Sequence, residues 1–248
     1  MNKTLVAIAV LSVLTATTLL ACGDGDSAPA PVAAPFNVKV IGFNDHHGQL
    51  EAAGTFGVST AVALADRSPV GGADFLAAHV AELKKQNANN VVVGAGDFIG
   101  ASPLISSLFN DEPSIKTLNR IGLEFNAVGN HEFDKGPAEL LRLQNGGCRV
   151  ANGVPDPNSR KGAAVGTRVP FEGAKFKWLS ANVVKTSDCK TLLPAYGIKE
   201  FNGVKVAFIG MILKATSTIV TPTGVAGLEF RDEAAIVNAL IPELRPGY

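Results

Sequence analysis

Between Phe36 and Leu244, short apolar runs alternate with segments of helical period, and this alternation constrains the fold more than any other feature of the chain. FNVKVIGFN (36–44) reads as a strand. GGADFLAAHVAELKKQ (71–86) reads as a helix with Phe75, Leu76, Val80 and Leu83 at helical spacing, and His79 falls on the same face as a core histidine. VVVGAG (91–96) is a wholly apolar strand, EPSIKTLNRIG (112–122) a helix with Gly122 past its end, and EFNAVG (124–129) a further strand. GPAELLRLQNGG (136–147) is a helix with Pro137 near its start. FKWLSAN (176–182), with Trp178 in the core, and VKVAFIGMIL (204–213) are strands. DEAAIVNALIPEL (232–244) opens a last helix that Pro242 would kink or end. Strands of this kind, separated by helices, define an α/β fold whose sheet is largely covered on both faces. Ligands in such sheets sit just beyond the carboxyl ends of the strands.

The first 35 residues stand outside this pattern. Lys3 precedes a run from Leu5 to Ala21 that is apolar apart from Ser and Thr, as in a secretory signal. It closes on Leu19-Leu20-Ala21-Cys22, which resembles the lipobox of bacterial lipoproteins. That resemblance implies a signal peptide over 1–21 and lipidation of Cys22. It also implies an exported protein held at the outer membrane or in the periplasm, in contact with the membrane only through its N-terminal lipid. Residues 22–35, small, polar and Pro-rich, read as a flexible tether. An oxidising compartment permits a Cys148–Cys189 disulfide, with two buried free thiols as the alternative. With 22 basic and 22 acidic residues the formal charge is zero, which argues against a nucleic-acid partner.

The chemistry gathers at three strand ends. The first strand runs into Asp45-His46-His47-Gly48, the second into Gly96-Asp97, and the third into Gly129-Asn130-His131-Glu132-Phe133-Asp134. If strand alternation continues, Asp45 and His47 share a face and His46 points the other way, into packing. The collected imidazoles, carboxylates and amide oxygen suit Mn, Fe, Co or Zn better than Ca or Mg. Glu132 reads as a turn-capping carboxylate that supports the ligands. Each piece alone is weak: Gly-Asp is often a turn, and Asn130 alone could be a helix cap.

Together these stretches resemble the calcineurin-like metallophosphoesterases, and within them the bacterial 5′-nucleotidase family. The resemblance is carried by FNDHHGQLE, GDFIGASPLISSLF, GLEFNAVGNHEFDKGPAELLRLQNGGC, LSANV and IKEFNGVKVAFIGMIL. It implies a β-sheet sandwich core flanked by helices over 36–248. It implies two divalent metal ions, with Asp45 and His47 on the first, Asp97 bridging both and Asn130 on the second. His131 would contact the substrate phosphoryl group, Asp134 would orient His131, and a water activated between the metals would attack phosphorus.

The implied activity is 5′-nucleotidase, releasing phosphate from nucleoside 5′-monophosphates. Within the superfamily the alternatives are a 2′,3′-cyclic nucleotide phosphodiesterase, a nucleotide-sugar hydrolase and a thiosulfohydrolase-type enzyme. Outside it, the alternative is a non-catalytic surface lipoprotein, which would have no need of the six site residues together. The family domain continues to a strand ending in histidine and a Gly-His-x-His segment, and then to a nucleotide-binding domain. His131 is the last histidine among these 248 residues. The resemblance therefore implies a catalytic domain incomplete at its C-terminus and a chain inactive by itself.

Overall fold

The computed structural model describes residues 34–245. The signal, lipobox and most of the tether assigned from sequence lie outside the described residues, as does Cys22. In chain order the strands are β1 (Lys39–Phe43), β2 (Gly54–Phe56), β3 (Ser68–Val70), β4 (Asn90–Gly94), β5 (Phe125–Ala127), β6 (Val150–Ala151), β7 (Val154–Pro155), β8 (Lys177–Leu179), β9 (Val183–Lys185), β10 (Tyr196–Phe201), β11 (Val204–Ile209) and β12 (Leu228–Phe230). The helices are α1 (Ala73–Lys85), α2 (Leu104–Ser107), α3 (Glu112–Ile121), α4 (Pro137–Asn145) and α5 (Glu233–Leu244).

The site rests on a four-stranded sheet in the order β1-β4-β5-β8, parallel throughout. Val91 and Val92 on β4 are fully buried, which explains why this strand reads as an unbroken apolar run. Parallel strands leave the sheet at one end, so residues following β1, β4 and β5 converge there. The core beneath them contains Phe98, Ile115, Leu118, Phe133, Leu140, Phe176 and Trp178, each essentially unexposed. Trp178 is a core residue, as the sequence predicts. The antiparallel hairpin β10–β11 lies beside the sheet, with Phe208 stacked on Phe125 at 5.1 Å. A second antiparallel pair joins β9 to β12.

Three local expectations are corrected. In α1 the inward stripe is Ala73, Leu76, Ala77 and Val80, while Phe75 is 59% and Leu83 37% exposed, and His79 is exposed rather than a core histidine. Both stripes are apolar in sequence, and packing against β1, β4 and α3 selects the one with the small alanines. Helix α5, by contrast, ends at Leu244 as the sequence predicts, with Pro242 inside it rather than ending it. The strand expected over 204–213 stops at Ile209, before Gly210, whose missing side chain lets it press on the Leu179 backbone. The Cys148–Cys189 bridge is not formed. Cys148, half-buried after α4, directs its thiol to the Arg149 carbonyl, and Cys189 is exposed in the turn after β9.

Candidate metal centre

Beyond β1 the chain leaves extended geometry at once. Asp45 and His47 adopt left-handed backbone conformations with φ of 52° and 44°, and Asp97 after β4 does the same at 57°. Such conformations are uncommon outside glycine and concentrate at functional sites. The expected sharing of a face by Asp45 and His47 is realised, His47 Nε2 lying 3.7 Å from Asp45 Oδ1, through this turn rather than through strand alternation. His46 is turned inward, 8% exposed, with its ring edge-on to Phe98. Burial, and secondarily the neighbouring His47, push its pKa down to about 4, so it is neutral and packed at neutral pH.

Ligand atoms of His47, Asp97 and His131 all lie within 4.8 Å of one another. The His47 and His131 rings meet edge to face at 4.9 Å. Each ring has one nitrogen already committed: His47 Nδ1 to the Gly100 carbonyl at 2.9 Å and His131 Nδ1 to Asp134 Oδ2 at 2.8 Å. An acceptor at Nδ1 fixes the N–H there and leaves the Nε2 lone pair for the site, the arrangement that orients histidines toward metals. Asp97 Oδ1 accepts from the His131 amide at 2.9 Å, so one oxygen of Asp97 is held while the other remains available. This donor set fits a divalent transition metal.

Asn130 opens the short 3₁₀ turn His131–Phe133 but makes no side-chain cap bond, which leaves its amide oxygen unused by the fold. Asp45 sits at the rim, its side chain exposed and its Oδ2 accepting from the side-chain Nδ2 of Asn44. Burial disfavours charge on His131, but the hydrogen bond and charge of Asp134, with Asp97 and Glu132 nearby, outweigh it and raise its pKa above the ordinary value. Glu132 is 2% exposed and lies outside the ligand cluster. Its oxygens take backbone amides, as the sequence predicts for a turn-capping carboxylate.

Two contributors went unread in the sequence. The Gly100 carbonyl that orients His47 carries no residue-type signal, although Gly100 itself, at φ 75°, marks the turn. Asn126 on β5, fully buried, accepts from the Gly96 amide at 3.1 Å. Its alternation with the apolar Phe125 was the available clue.

The carboxyl end of the sheet thus gathers imidazoles and a carboxylate that could hold a metal ion. The calcineurin-like phosphoesterase model matches residues 38–235. The chain belongs to that family of phosphoric-ester hydrolases. It is 43% identical over 185 residues to an uncharacterized protein in the pqq-V 5′ region of Acinetobacter calcoaceticus, covering 73% of this chain and 87% of that one. It is 35% identical to Endonuclease YhcR of Bacillus subtilis, covering 84% of this chain and 16% of that one. It is 26% identical to a 5′-nucleotidase of Vibrio cholerae, covering 99% and 38% respectively. A solved 5′-nucleotidase precursor from Thermus thermophilus superposes with a TM-score of 0.58 at 25% identity, over 84% of this chain and 34% of that one. The chain thus spans a sixth to about two-fifths of these longer relatives.

Proposed function

We propose that this domain hydrolyses nucleoside 5′-monophosphates to nucleoside and phosphate. Two divalent cations would be held by Asp45 and His47, by Asp97 between them, and by Asn130. The observation that carries this reading is the convergence of His47, Asp97 and His131 at the sheet end, with both rings presenting Nε2. Bound cations supply Lewis acidity to the attacking water and to the phosphoryl oxygens. The protein's own part is then positional and protonic. Asp134 keeps the His131 proton at Nδ1 when the ring is neutral and stabilises the ring when charged. A His131 held above its ordinary pKa retains more of its cationic form at neutral pH, suited to stabilising charge on the phosphoryl group or protonating the departing 5′ oxygen.

The test is phosphate release from AMP by the full gene product in Mn²⁺ or Co²⁺. It should fall by far more than tenfold in Asp97→Asn, and a variant within tenfold of wild type would refute the bridging role. Similarity to a protein named as an endonuclease favours, as a second reading, a phosphodiester substrate. Hydrolysis of 2′,3′-cyclic AMP in preference to AMP would select it. The N-terminal lipobox pattern supports export and a lipid anchor at Cys22. Among the described residues no helix is long and apolar enough to cross a membrane.

A further inference from the structure

Three consecutive residues, Gly96, Asp97 and Phe98, are tied on both sides. Their carbonyls accept from the amides of Asp45, His47 and Gly48 at 3.1, 3.0 and 3.1 Å. Their amides donate to side chains of the third strand and the turn after it. The Gly96 amide meets Asn126 Oδ1 at 3.1 Å, the Asp97 amide Glu132 Oε2 at 2.9 Å, and the Phe98 amide Glu132 Oε1 at 2.9 Å. Glu132 Oε2 also takes the Gly129 amide at 2.6 Å. One buried carboxylate therefore joins the turn bearing Asp97 to the turn bearing Asn130, and through residues 96–98 both are joined to Asp45 and His47.

Glu132 makes no ion pair among the described residues and does not enter the ligand cluster. All three of its hydrogen bonds go to backbone amides of the ligand-bearing turns. A carboxylate can accept from three amides at once, whereas a glutamine would set its own N–H₂ against one of them. Buried amides without partners are costly, so these three bonds hold firmly.

We infer that Glu132 is the positioning residue of the metal centre, fixing the separation of the Asp97 and Asn130 turns before any cation arrives. This rests on the reading of Asp97 and Asn130 as ligands. Partners that orient ligands in this way typically change metal affinity by about 10- to 100-fold when altered. Glu132→Gln keeps size and shape but forfeits at least one amide bond.

The experiment pairs Mn²⁺ titration of wild type and Glu132→Gln with backbone amide exchange of the metal-free wild type. The expected result is a Kd for Mn²⁺ raised 10- to 100-fold in the variant, with the far-ultraviolet circular dichroism unchanged. In the metal-free wild type the amides of Asp97, Phe98 and Gly129 should already be protected, with less than a tenfold further gain when Mn²⁺ is added. A variant that binds Mn²⁺ within threefold of wild type overturns the positioning role while leaving the metal reading intact. A wild type that binds no Mn²⁺ overturns both. Should the variant fail to fold, the exchange measurement decides alone: those three amides exchanging like exposed loop amides until metal is added would refute a centre organised in advance.

Discussion

His46 and His47 are neighbours with opposite surroundings, and each gives a measurable consequence. A histidine whose folded pKa lies near 4 stays neutral in the fold while the unfolded chain protonates near 6.5, so stability is lost as pH falls through that window. At pH 5 this group alone costs about 2 kcal/mol. His46→Phe retains the ring against Phe98 and also removes the buried, unpartnered Nε2. In urea unfolding at pH 7.5 and pH 5, the variant should lack that share of the acid-side loss; identical pH dependence would show that His46 is not held neutral. His131→Ala should lower kcat by roughly 10²- to 10⁴-fold with metal content unchanged, because its assigned task is protonic and electrostatic. Lost metal occupancy would instead make His131 a ligand, as its closeness to His47 and Asp97 permits. Asp134→Asn should lower the His131 pKa in a proton NMR titration of the metal-free protein, since the hydrogen bond that raises it is weakened. Residue identity made this layer legible: Asp45, His47, Asp97, Asn130, His131 and Asp134 stood out by type and by place at strand ends. The Gly100 carbonyl did not, because a backbone acceptor is common to every residue and only the folded turn selects it.

At the scale of elements, β4 was readable because burial of Val91 and Val92 on both faces leaves an apolar run that ends abruptly in Gly96 and Asp97. Short paired segments were harder. β2 with β3 and β6 with β7 are exposed ribbons of two or three residues, too brief for period-2 alternation to register. The β10–β11 hairpin did carry a signal, Asn202-Gly203, with φ of 49° and 83°, the two-residue turn that matches strand twist. The glycines at the strand ends offer a sharper test. Gly96 has φ of 96°, and a Cβ there would sit 2.5 Å from the Gly129 amide nitrogen. Gly153, in the turn between β6 and β7, has φ of 78° but nothing within 4 Å of an added Cβ. Gly96→Ala should therefore destabilise by more than ~2 kcal/mol and weaken Mn²⁺ binding, whereas Gly153→Ala pays conformational strain of about 1 kcal/mol and leaves metal binding alone. Thermal unfolding with and without Mn²⁺ distinguishes them. Equal losses in the two variants would mean that close approach of the Asp97 and Asn130 turns is not what Gly96 provides.

On the scale of the whole molecule, the proposed ligand set makes a prediction about these 248 residues by themselves. On the proposed reading one cation would be held by Asp45, His47 and Asp97 and the second by Asp97 and the neutral Asn130, and no histidine follows His131 among these 248 residues. Imidazole is a strong donor for this metal series, so a cation held by one shared carboxylate and one amide binds weakly. The surface adds a second constraint. Val40 on β1, and Tyr196, Ile198 and Val204 on the β10–β11 hairpin, are between 36% and 57% exposed on strands that have only one strand neighbour each or lie at a sheet edge. Exposed apolar strands of this kind favour self-association. A polypeptide of these residues without the signal should therefore retain at most one tightly bound cation after dialysis, elute partly as assemblies larger than a monomer, and release negligible phosphate from AMP or an aryl phosphate. Elemental analysis, gel filtration and a phosphate assay in Mn²⁺ or Co²⁺ test the three statements separately. Robust metal-dependent hydrolysis by a soluble monomer would show that Asp45, His47, Asp97 and Asn130 suffice, and that further imidazole ligands are not required for turnover.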